Sequence, residues 1–242
     1  MKVTYLDHCG FMITTDKAII VFDYFRDPSH ALHKALEAHP YFPVVFFMSH
    51  YPKDRPYHPD IYEIAQNHER TYVMSNDILP QNVPSGLAVA GMSAGDVLED
   101  LPGIKRVKAY KSTGKGVTFV VTLDDGHMVF HGGNIGQYCW HGGQAPDERE
   151  IAKAEEEFKV IINHIASEVP EVYIGMFPLY PGQASELTKY AKEYLEAIKT
   201  DNYFPMNIAD DYTAACDFDA YVLTPGTKCH CIHNPGASVK LD

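Results

Sequence analysis

Residues 44–58, VVFFMSHYPKDRPYH, decide how the rest of the chain is read. A hydrophobic run from Val44 to Met48 ends in Ser49 and His50, and a polar loop then leads to a helical segment that begins near His58. Reactive side chains are often carried at such places, where a buried strand gives way to a surface loop. The loop has the frame of a metal-binding motif with half of its ligands replaced. Where a two-metal loop reads His-x-His-x-Asp-His, the four slots here hold His50, Pro52, Asp54 and Arg55. Proline has no ligand atom on its side chain and arginine stays protonated, so two of the four slots cannot bind a metal.

Upstream of this loop the chain reads as a meander of short strands: Val3 to Leu6, Gly10 to Thr15 and Ala18 to Asp23, with a turn at Thr15-Asp16-Lys17. A helix is expected from Ser29 to Ala38 with Ser29 as its N-cap. Downstream, a short helix is expected at Pro59 to Asn67. Strands follow at Tyr72 to Ser75, Ile104 to Tyr110, Gly116 to Leu123 and Met128 to Phe130. From Asp147 to Ala166 the residues Ile151, Ala154, Phe158, Ile161, Ile162 and Ile165 recur at three and four spacing, the mark of an amphipathic helix. A strand at Val172 to Met176, a helix at Ala184 to Ile198, a strand at Tyr203 to Met206 and strands near 219–223 and 228–232 complete the pattern. Strands come first and helices are inserted later, which predicts one domain over 1–242 with two sheets packed face to face and helices outside.

The chain has 242 residues, 45% hydrophobic and 21% charged, enough to bury a large core. A net charge of −12 and a pI near 5.5 argue against a nucleic-acid surface and favour a small-molecule role. No run approaches the length of a membrane span, and MKVTYLDHCGF is a strand pattern in place of a signal peptide, so the expected address is the cytoplasm. The five cysteines, Cys9, Cys139, Cys216, Cys229 and Cys231, are odd in number and scattered, and are expected to be reduced.

Several segments, taken in order, resemble metallo-β-lactamase-fold hydrolases. MKVTYLDHCGFMI is similar to that family's opening MKVTYLGHSGFLI, and IIVFDYFRDP to the following strand, which ends in an aspartate near the metal site. VVFFMSHYPKDRPYHPDIYEIA is similar to the strand, metal loop and helix that come next. YKSTGKGVTFVV, VFHGGNIGQYCW, IGMFPLYP and FPMNIADDY resemble later segments of one branch. The resemblance runs through nearly the whole chain and implies an α/β fold, a four-layer αββα sandwich with a metal site at one edge between the sheets.

Carried over residue by residue, the resemblance leaves His50 and Asp54 in ligand positions. Asn134 stands where an aspartate would bridge two metals, and a neutral amide is a poor bridge for a hard dication. Asn207 stands where a last histidine would be. His8 matches an early histidine of the family, and His131, at a strand end before Gly132-Gly133-Asn134, is a further candidate ligand, as is His58. The resemblance thus implies at most one divalent metal (zinc, iron or manganese), or none, on His50 and Asp54 with His58, His131 or His8 making up the number. Each candidate has a plainer reading. His50 and His8 also fit turn positions, His58 fits the residue before a helix, and Asp54-Arg55 fits an exposed turn with two solvated charges. Ser49 and Ser112 lack the elbow motif of a serine nucleophile.

Two functions follow. One is hydrolysis of a small ester, lactone or phosphoester by a metal-activated water, with His50 and Asp54 in the catalytic roles. The other is metal-independent binding of a small anionic metabolite, in which Arg55 stands in for the metal, with Lys53 and, from the neighbouring segment, Lys111 and Lys115 adding charge, and His8, Asn134 and Asn207 lining the cleft. A scaffold acting through an oligomer interface is a third. Cys229-His230-Cys231-Ile232-His233 has zinc-ligand chemistry, but without a second, distant ligand pair it is expected to be a packed strand with a polar edge.

Overall fold

Side-chain alternation sets the architecture. Phe11 and Ile13 enter one buried cluster and Met12 another, and the same two-residue period holds from Ile19 to Phe22 and from Val44 to Met48. Both faces of these strands are buried, which is why the sequence shows continuous apolar runs there in place of apolar-polar alternation.

The computed structural model describes residues 1–50, 59–78, 83–136, 147–179, 187–208, 211–218 and 224–242. Within them the chain forms β1 (Lys2–Asp7), β2 (Gly10–Thr14), β3 (Ile19–Phe22), α1 (Ala31–Ala38), β4 (Val44–Met48), β5 (Arg70–Ser75) and β6 (Ala88–Met92). It continues through β7 (Val97–Leu101), β8 (Ile104–Lys111), β9 (Val117–Leu123), β10 (Met128–His131), α2 (Glu148–Glu168), β11 (Glu171–Pro178) and α3 (Leu187–Ala197). The last elements are β12 (Lys199–Met206), α4 (Tyr212–Asp217), β13 (Lys228–Cys229) and β14 (Ser238–Lys240).

Two seven-stranded sheets result, ordered β14-β1-β2-β3-β4-β5-β6 and β13-β12-β11-β10-β9-β8-β7. Each is antiparallel in one part and parallel in the other. In the first sheet β3 to β6 run parallel, and in the second β10 to β13 do. The sheets pack face to face through aromatic contacts such as Phe47 with Phe119, ring centres 5.3 Å apart, and Phe11 with Phe204 at 6.0 Å. Outside the second sheet, α2 lays Phe158, Ile161, Ile162 and Ile165 into the core, and Phe158 meets Phe177 of β11 edge on at 6.1 Å. Outside the first, α1 contributes Leu32 and Ala35 to the second cluster. The layers are therefore αββα.

Helix starts follow their carboxylates. Asp147 caps α2, accepting the Glu150 amide at 2.8 Å while the Glu150 carboxylate accepts the Asp147 amide at 3.1 Å, a capping box contributing about 1 kcal/mol. At α1 the expected Ser29 cap is replaced by Asp27. Its two oxygens accept the amides of Ala31 and Leu32 at 2.9 and 2.8 Å, and Ser29 donates its hydroxyl to the same carboxylate. A charged acceptor at a helix start also meets the dipole favourably, so Asp27 outcompetes the serine.

Other differences are of length and strength of pattern. The expected helix at Pro59 to Asn67 is a single 3₁₀ turn, Pro59–Tyr62. Strands β6, β7 and β14 and helix α4 are short, and the three strands are largely exposed, so no apolar period announced them. β13 stops at Cys229, and the expected strand at 219–223 lies outside the described residues. Among the described residues no helix is long and apolar enough to cross a membrane.

Candidate functional site

β3 and β4 are parallel neighbours in register, Phe22 opposite Phe47, so the residues that follow them leave the sheet at the same edge. These are Asp23, whose amide donates to Phe47 O at 2.8 Å, and Ser49-His50. The second sheet closes on the same edge. Val117 donates its amide to Ser49 O at 2.8 Å, and Gly133, with φ +61°, sits so near that a Cβ there would lie 2.5 Å from Ser49 Oγ. Glycine is required at that point both by conformation and by space.

Asp23 organises this edge. Its Oδ1 accepts the Ser49 amide at 2.7 Å and its Oδ2 accepts the Ser49 hydroxyl at 2.5 Å. Ser49 Oγ also lies 2.8 Å from His50 Nδ1. Because the single hydroxyl proton goes to the carboxylate, His50 must supply the proton in the second contact, which places a proton on Nδ1 and, in the neutral imidazole, leaves the lone pair on Nε2. Burial would raise the Asp23 carboxyl. The field of His131, the hydrogen bond and field from His50, and the Ser49 hydroxyl outweigh it, and the carboxyl is lowered to about 2.

His131, at the end of β10, is fully buried and stacked on Phe22 with ring centres 4.9 Å apart. Its Nε2 donates to the Cys9 carbonyl at 3.0 Å, and its Nδ1 faces Asp23 Oδ2 at 3.8 Å with no hydrogen-bond partner among the described residues. Burial pushes the imidazolium down, the Asp23 carboxylate and the Cys9 carbonyl oppose that, and the field of His50 adds to it; burial prevails and the pKa is lowered. Asp23, accepting two hydrogen bonds from Ser49, remains the ionised partner.

The remaining predicted residues lie around this centre. Asn207, after β12, donates its amide to His8 O at 2.8 Å. Asn134 Oδ1 accepts the buried Ser112 hydroxyl at 3.1 Å, leaving its NH₂ as a donor. His8, Asp23 and Asn207 all have φ between 41° and 59°. Non-glycine residues in this region are strained, and their collection at one edge is itself a mark of a functional site. Pro52, Lys53, Asp54, Arg55 and His58 lie outside the described residues. Lys111 does not serve this edge; it pairs with Glu157 of α2 at 3.1 Å. Lys115 is exposed in the turn before β9.

Two features went unread in the sequence. The double acceptance of Ser49 by Asp23 joins residues 26 positions apart, and only the resemblance put an aspartate near this edge. Arg26, three residues beyond Asp23, pairs with the buried carboxylate of Asp7.

A divalent metal, which the fold implies, needs several histidine, carboxylate or thiolate atoms turned to one point. Among the described residues at this edge that requirement is not met: His50 offers Nε2, His131 gives its Nε2 to the Cys9 carbonyl and turns its buried Nδ1 to Asp23, and Asn134 gives its oxygen to Ser112. The described residues alone do not fit such an ion here. Among the described residues the triple that does converge is elsewhere, Cys216, Cys231 and His233. There the expectation of reduced cysteines is corrected, because Cys216 and Cys231 are paired as a disulfide with Cα atoms 4.5 Å apart. Fifteen residues of sequence separate the two, and the return of the chain from α4 past β13 brings them together.

No family model matches the chain, and no curated protein matches it in sequence. In shape it is similar to Igni18, a metallo hydrolase from the archaeon Ignicoccus hospitalis, with a TM-score of 0.68 and 16% identity over 100% of this chain and 98% of that one. It is also similar to CmlA, a diiron β-hydroxylase from Streptomyces venezuelae, with a TM-score of 0.65 and 10% identity over 99% of this chain and 54% of that one. The metallo-β-lactamase fold protein YhfI from Bacillus subtilis matches with a TM-score of 0.50 and 11% identity over 85% of each chain. The chain has the metallo-β-lactamase fold, as the order of its sequence segments implied.

Proposed function

We propose that this chain is a hydrolase of a small, anionic ester, lactone or phosphoester, with His50 handling the proton. The observation that carries this reading is the run of hydrogen bonds from Asp23 through Ser49 to His50, which fixes the imidazole with its unprotonated Nε2 available at the sheet edge. His50 is 16% exposed, buried enough to be held and open enough to meet a substrate. In the reaction, Nε2 takes a proton from water as the water oxygen bonds to the acyl carbon or phosphorus. The imidazolium so formed is stabilised through Ser49 by the ionised Asp23. The same proton then passes to the leaving oxygen, giving an alcohol and a carboxylate or phosphate.

Asn134 offers its NH₂ to the developing oxyanion or to the substrate's charge. Lys53 and Arg55 of the following loop bind the anionic group, Asp54 acts with His50, and His8 and Asn207 line the cleft. A single divalent ion on His50 and Asp54, with His58, is compatible with this reading, and no step above depends on it. A second reading is a non-catalytic binder of a small anionic metabolite with Arg55 in place of the metal. It is favoured by the neutral amide of Asn134, tied to Ser112 where the family would have a bridging carboxylate.

The two readings separate in one experiment. Activity toward a panel of nitrophenyl esters, lactones and phosphodiesters, lost in His50→Gln, supports the hydrolase. No turnover of any substrate, together with a thermal shift by small anions that Arg55→Ala abolishes, supports the binder.

A further inference from the structure

Cys216, Cys231 and His233 play no part in the site above, and they come from two separate parts of the chain. The segment after β13 alternates sharply. His230 is buried, stacked on Phe204 with ring centres 4.4 Å apart and 3.0 Å from Asn202 Oδ1, and Ile232 is buried in the core. With His230 and Ile232 directed inward, a two-residue period turns Cys231 and His233 together to the opposite side. That side faces α4, which is anchored by the buried Ala215 and followed by the buried Phe218. Cys216 therefore meets them from a fixed element.

The distances are those of a metal site. His233 Nδ1 lies 3.6 Å from Cys216 Sγ and 3.6 Å from Cys231 Sγ. A tetrahedral zinc ion, with about 2.3 Å to sulfur and about 2.0 Å to nitrogen, spaces sulfur and nitrogen ligands about 3.5 Å apart. Cys231 Sγ also lies 3.4 Å from Nε2, so the exposed His233 ring must turn to aim one nitrogen and the sulfur-sulfur separation must open for the three ligands to meet one ion. Two thiolates and an imidazole are soft and borderline donors that select zinc over magnesium or calcium.

We propose that Cys216, Cys231 and His233 form a redox-gated zinc site, closed as the Cys216–Cys231 disulfide and opened by a dithiol reductant. In the opening step the reductant's two sulfurs join in a disulfide, the Cys216–Cys231 bond takes the two electrons, and the two protons pass to the cysteine sulfurs. Zinc then forms one bond to each sulfur with release of both protons and accepts the His233 nitrogen lone pair. Three protein ligands leave the fourth position to water. The two states exclude each other, because the same pair of sulfurs cannot be bonded together and serve as thiolate ligands.

Cobalt(II) is the probe, since its thiolate complexes absorb strongly in the near ultraviolet and its histidine or carboxylate complexes do not. The full chain, reduced with a phosphine and cleared of it, is titrated with cobalt and then with zinc. About one equivalent of cobalt is expected to give the thiolate band, and zinc is expected to displace it. Cys231→Ser and Cys216→Ser should lose the band, and His233→Gln, at an exposed position that leaves the core intact, should weaken cobalt binding roughly tenfold or more. Cys229→Ser and His50→Ala should keep the band, which separates this site from the sheet-edge site. Protein oxidised to the disulfide should show none. A reduced wild type without the band, or a band unchanged in Cys231→Ser, overturns the proposal.

Discussion

Asp23 accepts both the backbone amide and the hydroxyl of Ser49, at 2.7 and 2.5 Å, so one carboxylate pins the chain where it leaves β4 and orients the next residue, His50. The geometry of this edge, and most of what can be tested about it, depends on that pair.

Asp23→Asn replaces an ionised double acceptor with a neutral amide. Stability is expected to fall by about 1–3 kcal/mol at neutral pH, read from urea unfolding. The pH dependence has a definite sign. The folded carboxyl is lowered to about 2 from the ordinary 3.8, so its contribution is fully present above about pH 4 and is lost as pH falls from there through about 2. It amounts to on the order of 2–3 kcal/mol. Wild type should therefore lose more stability than Asp23→Asn across that window, and equal losses in the two proteins would remove the carboxylate from this role.

Ser49→Ala removes the hydroxyl between carboxylate and imidazole without adding bulk. His50 loses the partner that fixes its tautomer, and kcat should drop roughly 10- to 100-fold with little change in KM. An alanine variant with wild-type kcat would show that the serine is only structural.

At Gly133 the prediction concerns space. A methyl group there would lie 2.5 Å from Ser49 Oγ at a φ of +61°, so Gly133→Ala combines a clash with a strained backbone. A loss of about 2–4 kcal/mol is expected in thermal or urea unfolding. Gly114→Ala, where none of the described residues lies within 4 Å of the added atom, should carry only the smaller conformational cost of its φ of +87°.

His131→Phe keeps a ring against Phe22 but removes the hydrogen bond from Nε2 to the Cys9 carbonyl. Losing one buried hydrogen bond costs about 0.5–1.5 kcal/mol, and the variant should be less stable by that amount in urea unfolding. A protein as stable as wild type would mean that the contact with Cys9 contributes nothing.

The fold was legible because its signals are local or ordered. Val44 to Met48 reads as a buried strand from five residues, Asp147 and Glu150 mark the start of α2, and the succession of family-like segments supplied the topology. The site was legible only in part. His8, His50, His131, Asn134 and Asn207 stand at strand ends and turns that the resemblance could place, and the structure brings them to one edge. Their partners are long-range: Cys9 meets His131 across 122 residues and Ser112 meets Asn134 across 22, and no periodicity encodes such contacts. The pairing of Cys216 with Cys231 was missed for the same reason. Its geometry depends on α4, a six-residue helix too short to declare itself by pattern.

The measurement that bears most directly on the role of His50 is the comparison of kcat/KM for wild type and His50→Gln on the best substrate of the ester, lactone and phosphodiester panel, with folding of both checked by circular dichroism. A folded His50→Gln protein with activity lowered about 100- to 10,000-fold is predicted. A folded variant within about twofold of wild type, below even the smallest effect expected of a lost general base, would contradict it.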